Sequence, residues 1–175
     1  VCGLRREALL PCYGLAEATL VATGRTHGRT YETATLDQAA LERGLARPAG
    51  DGGACDVTSC GTTKLSGELA IVDPDAHRRL DDGAIGEIWL RGPHVAKGYW
   101  GDTERSAATF GATISDGSEQ GDGPYLRTGD LGFLRAGELF VTGRIKEIIV
   151  VRGRCLYPQD LELAVESLAA NHPEI

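Results

Sequence analysis

Residues 125–162 read YLRTGDLGFLRAGELFVTGRIKEIIVVRGRCLYPQDLE, and this stretch decides the fold. Two apolar runs, at 131–134 and 139–141, flank the dipeptide Ala136-Gly137. Apolar runs separated by a short glycine-containing link are typical of a β-hairpin. The sequence therefore predicts two antiparallel strands joined by a tight turn at this dipeptide.

The open end of this hairpin would bring a carboxylate and a guanidinium together. With the turn at that dipeptide, Asp130 faces Gly143 across the ladder and Arg144 lies next to it. Directly opposed residues in an antiparallel pair lie about 4.5–5.5 Å apart. The pair suits a vicinal diol such as that of a ribose, because a carboxylate accepts both hydroxyl protons while a guanidinium donates from the side. The alternative is a surface ion pair worth about 0–1 kcal/mol, and the spacing alone leaves both readings open.

The motifs of this stretch resemble those of the adenylate-forming superfamily of acyl- and aryl-CoA synthetases, luciferases and peptide-synthetase adenylation domains. T-G-D-L-G followed by G-R-I-K carries the resemblance, and Y-P-Q-D-L-E at 157–162 narrows it to the fatty acyl-AMP ligases. The resemblance implies ribose contacts for Asp130 and Arg144. It also implies that Lys146 occupies the hinge between a large and a small domain.

A second motif, Y-G-L-A-E, precedes the T-G-D element. By itself the motif is weak, because an aromatic residue and a glycine before a helix commonly form a turn. Within the superfamily it implies that Tyr13 stacks on adenine beside Gly14 and that Glu17 is a magnesium ligand, a role that suits a hard carboxylate oxygen. Most relatives have Thr where Ala16 stands, whereas the acyl-AMP ligases share the alanine.

Residues 29–56 form a polar segment that is longer than the matching connection in typical CoA synthetases. The pattern Thr35-Leu-Asp-Gln38 fits a capping box and predicts a short helix that Gly44 closes. The segment resembles the insertion of fatty acyl-AMP ligases, in which an extra element braces the small domain against the large one. A tolerated surface loop is the alternative.

The remaining sequence predicts strands at 68–72 and 87–91, a helix at 102–110, and a helix that begins at Pro158. Alternating polarity predicts that the strand at 87–91 is half-buried. We interpret Trp89, Tyr99 and Trp100 as packing residues rather than a cofactor site. S-C-G-T-T-K at 59–64 looks like a phosphate loop but does not match the Walker pattern, so we interpret it as the entry to a strand.

The composition limits the partners and the compartment. A net charge of −7 argues against nucleic acid or an anionic membrane surface as a partner. No apolar run approaches the roughly 20 residues needed to span a bilayer, and no signal peptide opens the chain. The chain lacks Met even at position 1, so we expect part of a longer cytoplasmic polypeptide. The cysteines form neither a C-x-x-C pair nor a Cys/His cluster, and we expect free thiols at Cys2, Cys12, Cys55, Cys60 and Cys155.

Together these features predict an α/β fold. Residues 1–145 would form a β-rich subdomain at the end of a large AMP-binding domain. Residues 146–175 would supply the hinge and the first strand and helix of a small α+β C-terminal domain. The family's phosphate loop and distal lysine are missing from the 175 residues, so we expect the chain alone not to form acyl-AMP.

The resemblance implies that the parent enzyme activates a fatty acid with ATP and magnesium, giving acyl-AMP and pyrophosphate. The acyl group then passes to a phosphopantetheine thiol on an acyl carrier protein or polyketide synthase, in polyketide, lipopeptide or complex-lipid synthesis. The alternatives are an acyl-CoA synthetase, a peptide-synthetase adenylation domain, and a non-catalytic remnant of the scaffold.

Overall fold

A computed structural model describes residues 3–26, 28–50, 52–64, 67–115, 117, 121–151, 154–158, 161, 162, 165, 166 and 168. The strands are β1 (Cys12–Tyr13), β2 (Thr23–Gly24), β3 (Thr33–Asp37), β4 (Ala54–Thr58), β5 (Thr62–Thr63), β6 (Glu68–Val72), β7 (Gly86–Arg91), β8 (Ala112–Ile114), β9 (Asp122–Arg135), β10 (Glu138–Arg144), β11 (Ile149–Val151) and β12 (Arg154–Leu156). The helices are α1 (Gln38–Leu41) and α2 (Thr103–Phe110), with 3-10 turns at Arg6–Ala8, Ala16–Ala18 and Ile145–Glu147. The predicted β-rich α/β fold is confirmed, and the described positions between 158 and 168 are helical.

The main sheet is antiparallel, in the order β10-β9-β7-β6, and β8 pairs with the outer part of β9. Successive side chains of a strand point to opposite faces, so β7 supplies a core on each side. Ile88 and Leu90 pack with Leu126 on one face, while Trp89 packs with Tyr125 on the other. The strand predicted as half-buried is therefore buried on both faces.

The hairpin of β9 and β10 turns at Ala136-Gly137, as the sequence predicts. Both residues have positive φ, 52° and 77°, which defines the turn whose twist matches that of the flanking strands. Close to the turn, Phe133 and Phe140 face each other and their rings stack with centroids 4.9 Å apart. This aromatic pair fixes the register of the inner part of the hairpin.

Further from the turn, the predicted register is wrong by one residue. A bulge at Thr142, between Val141 and Gly143, inserts an extra residue into β10. Asp130 is therefore opposite Arg144 rather than Gly143. Polarity patterns cannot reveal such a bulge, because one extra residue in a short strand leaves the run of apolar residues almost unchanged.

A second irregularity lies on the other side of β9, where it pairs with β7. Glu87 is opposite Leu131 and Trp89 is opposite Arg127, so the three residues Thr128-Gly129-Asp130 lie across from Ile88 alone. The T-G-D motif is thus a bulge of three residues against one in the inner strand β9. Bulges redirect the side chains next to them, and here the redirected side chain is that of Asp130.

Residues 33–58 form a packed unit rather than a free surface loop. Strands β3 and β4 pair along their full length, and α1 follows β3 directly. Leu36 and Leu41 are buried against the stacked aromatic pair of the hairpin. The helix begins two residues later than the capping box predicts: Asp37 is its N-cap and accepts a hydrogen bond from Ala40 N, because residue 35 belongs to the strand.

The segment after Lys146 contacts both the hairpin and the 33–58 unit. Strands β11 and β12 pair antiparallel, and Cys155 N donates to the carbonyl oxygen of Glu42, 3.2 Å away. Tyr157 is buried against Gly143, where a Cβ atom would lie 2.7 Å from Tyr157 Cδ1. The chain on the far side of the expected hinge is therefore held against the chain before it.

Three further expectations have mixed outcomes. Trp89 is buried and Tyr99 packs edge-on against Phe110, but Trp100 is fully exposed and is not a packing residue. Among the described cysteines none forms a disulfide, and Cys2 lies outside the described residues. In the part of the chain that the structure describes, no helix is long and apolar enough to cross a membrane.

Candidate functional site

Asp130 is the centre of the site that the two bulges create. Its side chain is 10% exposed, and each of its oxygens accepts a hydrogen bond. Tyr13 Oη donates to Oδ2 over 2.8 Å, and Arg144 Nε donates to Oδ1 over 2.7 Å. The structure thus brings together three of the site residues that the sequence predicts, from three separate strands.

Burial and the contacts with Asp130 shift the pKa values of Tyr13 and Arg144. Burial, together with the Asp130 carboxylate, raises the pKa of Tyr13 well above its usual range, so its hydroxyl stays protonated and donates. The hydrogen bond to Asp130 and the attraction of its charge raise the pKa of Arg144. Arg144 is half-exposed, so its guanidinium keeps donors available for a further ligand.

Gly14 follows Tyr13 where the chain leaves β1 and folds back on itself. A Cβ atom at this position would lie 1.6 Å from the carbonyl oxygen of Leu20, so only glycine fits. Residues Thr19 and Leu20 have left-handed backbone with φ of 55° and 71°. Close backbone packing is therefore one reason for a glycine beside Tyr13, in addition to the expected approach of a ligand.

A cleft of about 680 Å³ opens beside these residues. Its lining contains Tyr13, Gly14, Leu41, Cys55, Asp56, Val57, Thr58, Asp130, Val141, Thr142, Gly143, Arg144, Glu147 and Tyr157. The volume lies within the range of about 300–1,000 Å³ that is typical of small-molecule sites. A carboxylate oxygen has two lone-pair sites, so Asp130 can accept two ligand hydroxyls without losing its present partners.

Glu17 lies apart from this centre, in the 3-10 turn Ala16–Ala18. Tyr99 Oη donates to Glu17 Oε1 over 2.8 Å, and burial together with this hydrogen bond raises the pKa of Tyr99. Arg105 lies over the Tyr99 ring, 4.2 Å from its centroid, and holds the phenol in place. Glu17 is half-buried, and the hydrogen bond from Tyr99 fixes the direction of its carboxylate. The carboxylate oxygens still have lone pairs with which to bind a cation.

Magnesium is commonly held by one or two carboxylates together with substrate phosphates, rather than by a cage of protein ligands. Among the described residues there is no group of three or more His, Cys, Asp or Glu that would hold a metal by itself. The single carboxylate of Glu17 fits a site that one carboxylate and the substrate phosphates share.

Lys146 is exposed, in the 3-10 turn Ile145–Glu147 that links β10 to β11. Its neighbour Arg144 ends β10, and Glu147 lies within 3.9 Å of the Arg144 guanidinium. The predicted hinge residue is thus two positions from the residue that binds Asp130. Any change of backbone direction here begins next to the cleft.

Sequence reasoning missed several residues that shape the site. Glu87 and Thr128 hold the T-G-D bulge, and residues 55–58 of β4 form one wall of the cleft. Tyr157 contributes from beyond the expected hinge. The available sequence signal was a glutamate directly before the apolar run I-W-L, since a carboxylate that such a strand buries requires partners.

The comparisons with known proteins agree with this geometry. The AMP-binding enzyme family matches residues 2–100, more than half of the chain. The chain therefore belongs to the AMP-binding enzyme family.

Individual relatives narrow the likeness. The chain is 45% identical, over 99% of its length and 29% of the relative's, to medium-chain-fatty-acid–[acyl-carrier-protein] ligase JamA of Moorena producens. It is 40% identical to long-chain-fatty-acid–AMP ligase FadD26 of Mycobacterium tuberculosis, over 94% of the chain and 29% of the relative. The chain thus spans less than a third of these curated relatives.

A solved structure of a fatty acyl-adenylate ligase has a similar fold. The fatty acyl-adenylate ligase of Legionella pneumophila, in complex with acyl adenylate and pyrophosphate, superimposes with a TM-score of 0.74 and 44% identity. The match covers 82% of this chain and 24% of that one. The predicted resemblance to the fatty acyl-AMP ligases is confirmed.

Proposed function

We propose that the chain supplies the ribose-binding and hinge region of a ligase that activates a fatty acid with ATP to form acyl-AMP. The observation that carries the proposal is the Asp130 carboxylate, held between Tyr13 and Arg144 at the edge of a cleft large enough for a nucleoside. The relatives named above are ligases that form acyl-AMP or load an acyl-carrier protein, which supports the same reading.

In this proposal Asp130 accepts hydrogen bonds from the two ribose hydroxyls. Arg144 donates from the side to the ribose and balances the carboxylate charge. Tyr13 keeps its hydroxyl on Asp130 and offers its ring to the adenine, beside Gly14. Charge-assisted hydrogen bonds are about twice as strong as neutral ones, so this pair fixes the nucleotide's position.

Glu17 would bind magnesium, and the described geometry suits a site completed by ATP phosphates. A magnesium ion held there would neutralise phosphate charge during adenylation. Tyr99 orients the Glu17 carboxylate through its hydroxyl, and Arg105 orients Tyr99.

The reaction that these residues serve has two steps. In the first, the fatty-acid carboxylate attacks the α-phosphorus, the bond to the bridging oxygen breaks, and pyrophosphate leaves with that electron pair. In the second, a phosphopantetheine thiol attacks the acyl carbon and AMP leaves. Asp130, Arg144 and Tyr13 hold the adenosine in both steps, which fixes the α-phosphate in place.

We propose a phosphopantetheinylated carrier protein or polyketide synthase as the acyl acceptor, in a cytoplasmic enzyme. Residues 1–145 would end the large domain, residues 146–175 would begin the small one, and Lys146 would be the hinge. The insertion at 29–56 would restrain the small domain, which the contact between Cys155 N and the Glu42 carbonyl supports.

The test compares ATP with 2′,3′-dideoxy-ATP in pyrophosphate exchange by the full-length enzyme. Asp130→Asn should weaken ATP use by about 1.5–3 kcal/mol, the cost of lost charged hydrogen bonds, while hardly affecting the dideoxy analogue. Asp81→Asn, an exposed carboxylate that does not line the cleft, is the matched control. If the Asp130 variant discriminates between the two nucleotides as strongly as the parent does, the ribose assignment is wrong.

A further inference from the structure

Glu87 is the most deeply buried carboxylate among the described residues, with 2% of the residue exposed. It lies in the inner strand β7, one strand away from the cleft, and does not line it. Removing a charge from water is costly unless hydrogen bonds and an opposite charge compensate. The partners of Glu87 therefore indicate what this residue does.

The first partner is Arg127, the residue before the T-G-D motif. Its Nη2 and Nε donate to Glu87 Oε2 over 2.7 and 3.0 Å. The guanidinium carbon lies 5.5 Å from the centroid of the buried Trp89 ring, and Nη1 lies 3.3 Å from His77 Nε2. Arg127 is thus held on several sides, and it fixes one carboxylate oxygen of Glu87.

The second partner is the backbone of the T-G-D motif. Glu87 Oε1 accepts a hydrogen bond from Gly129 N over 3.0 Å. Gly129 has φ of +75°. Because glycine has no side chain, its own backbone torsions are weakly restrained. Its amide lies in the bulge, where Thr128-Gly129-Asp130 face Ile88 alone, so Glu87 supplies the acceptor for this donor.

Thr128 completes the support of the bulge. Its hydroxyl donates to the carbonyl oxygen of Ile88 over 2.7 Å and accepts from Asp130 N over 3.1 Å. The peptide groups on both sides of Gly129 are therefore fixed by side chains, one from Thr128 and one from Glu87. The direction of the Asp130 side chain depends on both contacts, because Asp130 is the next residue.

We propose that Glu87 is a positioning residue for Asp130. Held by Arg127, it fixes the Gly129 peptide so that the Asp130 carboxylate meets Tyr13, Arg144 and the ribose hydroxyls, without itself touching the nucleotide. This proposal deepens the ribose site proposed above and rests on it. It assigns a positioning function to an ion pair whose carboxylate is buried in the sheet.

The substitution Glu87→Gln tests the assignment with little change in volume. The amide keeps one oxygen, which cannot serve Gly129 N and the Arg127 fork as the two carboxylate oxygens do. We expect the preference for ATP over 2′,3′-dideoxy-ATP to fall about tenfold, in line with loss of one charged hydrogen bond. A residue with only a structural role would lower the use of both nucleotides equally.

The control is Glu68→Gln. Glu68 is also a carboxylate that accepts from two arginines, Arg79 and Arg91, but it lies on β6 and makes no described contact with the T-G-D motif. This variant should keep the nucleotide preference of the parent. A preference that falls equally in both glutamine variants would overturn the proposal.

A double-mutant cycle separates the two hypotheses. If Glu87 acts through Asp130, Glu87→Gln should have little further effect on nucleotide preference once Asp130→Asn is present. If Asp130→Asn abolishes the preference while Glu87→Gln retains it, the positioning role is wrong and the ribose site stands. If Asp130→Asn itself retains the preference, the ribose site is wrong.

A second variant covers the case in which Glu87→Gln does not yield folded enzyme. Arg127→Lys keeps the charge beside Glu87 but loses the two-pronged contact. A reduced ATP preference in this folded variant supports the proposal, and an unchanged preference overturns it.

Discussion

Asp130 and Arg144 are directly opposed in the β9–β10 ladder, with Arg144 Nε 2.7 Å from Asp130 Oδ1. The bulge at Thr142 produces this pairing, since an unbroken ladder from the turn would place Gly143 opposite Asp130. A shift of one residue moves a side chain to the other face of a sheet. Without the bulge, Arg144 would point away from the face that carries the Asp130 carboxylate.

The first prediction concerns this pair. Arg144→Ala in the full-length enzyme should weaken ATP binding by about 1 kcal/mol, a modest value because the guanidinium is half-exposed and screened by solvent. Equilibrium dialysis with labelled ATP measures the change. Arg78→Ala, at an exposed arginine outside the cleft lining, is the control, and equal weakening in both variants would contradict a specific role for Arg144.

The second prediction concerns Lys146, between the cleft and the β11–β12 hairpin. Under the proposed function, adenylation and thiol transfer need different placements of the small domain, so one backbone position would absorb a large torsion change. Proline fixes φ near −65°, a value that the present 3-10 turn accommodates. Lys146→Pro should therefore impair one half-reaction much more than the other.

Pyrophosphate exchange measures the adenylation half-reaction, and loading of a carrier protein measures the thiol-transfer half-reaction. Lys146→Ala, which leaves the backbone free, is the control and should keep the balance between them. Equal loss of both half-reactions in the proline variant would remove Lys146 from the hinge.

The third prediction concerns the acceptor. A segment packed between two domains restricts rotation, so access of a free thiol to the adenylate should depend on how firmly the small domain is held. Cys155→Pro removes the N–H that donates to the Glu42 carbonyl and should raise acyl-CoA formation. Cys155→Ala keeps that N–H and should behave as the parent does.

The assay supplies fatty acid, ATP and free CoA, and mass spectrometry follows acyl-CoA. We expect the parent enzyme to make acyl-AMP readily and little acyl-CoA. Excision of residues 44–53 should act in the same direction as the proline, because residues 47–49 lie beside β3 and residues 44 and 46 bond to the backbone of Ile85 and Gly83. Efficient acyl-CoA production by the parent would instead favour an ordinary synthetase.

The fourth prediction concerns stability. Leu36 is 1% exposed and joins the 33–58 unit to the aromatic pair of the hairpin. Leu36→Ala should lower the free energy of unfolding by about 2–5 kcal/mol through lost burial and the cavity that remains. Urea unfolding followed by circular dichroism measures the effect. Thr33→Ala, at an exposed position of the same strand, should change the midpoint little, and similar losses in both would argue against this packing.

Features that depend on neighbouring residues in the chain, such as turns and short motifs, were predictable from the sequence. The turn at Ala136-Gly137 follows from its dipeptide and its apolar flanks, and the site residues Tyr13, Asp130 and Arg144 follow from motifs. The bulges were not predictable, because they depend on which backbone groups find partners across three strands. The T-G-D bulge needs a carboxylate from a strand about 40 residues earlier in the chain, at Glu87.

Two other expectations failed because tertiary contacts override local patterns. Alternating polarity in the strand at 87–91 predicted a half-buried strand, yet Glu87 is buried, where it pairs with Arg127. The capping box at residue 35 competed with pairing between β3 and β4, which places Thr35 opposite Asp56 and moves the helix start to Gln38. Pairing satisfies more backbone groups than two extra helical residues would.

Tyr157 belongs to the chain beyond Lys146, yet it lines the cleft and packs on Gly143, next to Arg144. A rotation about the proposed hinge at Lys146 that withdraws this ring would change the shape of the cleft. Linkage makes such an effect reciprocal: a ligand that prefers the ring in place must also resist the rotation, by the same free energy. Under the proposed domain division, binding in the cleft and the orientation of the small domain are therefore thermodynamically coupled.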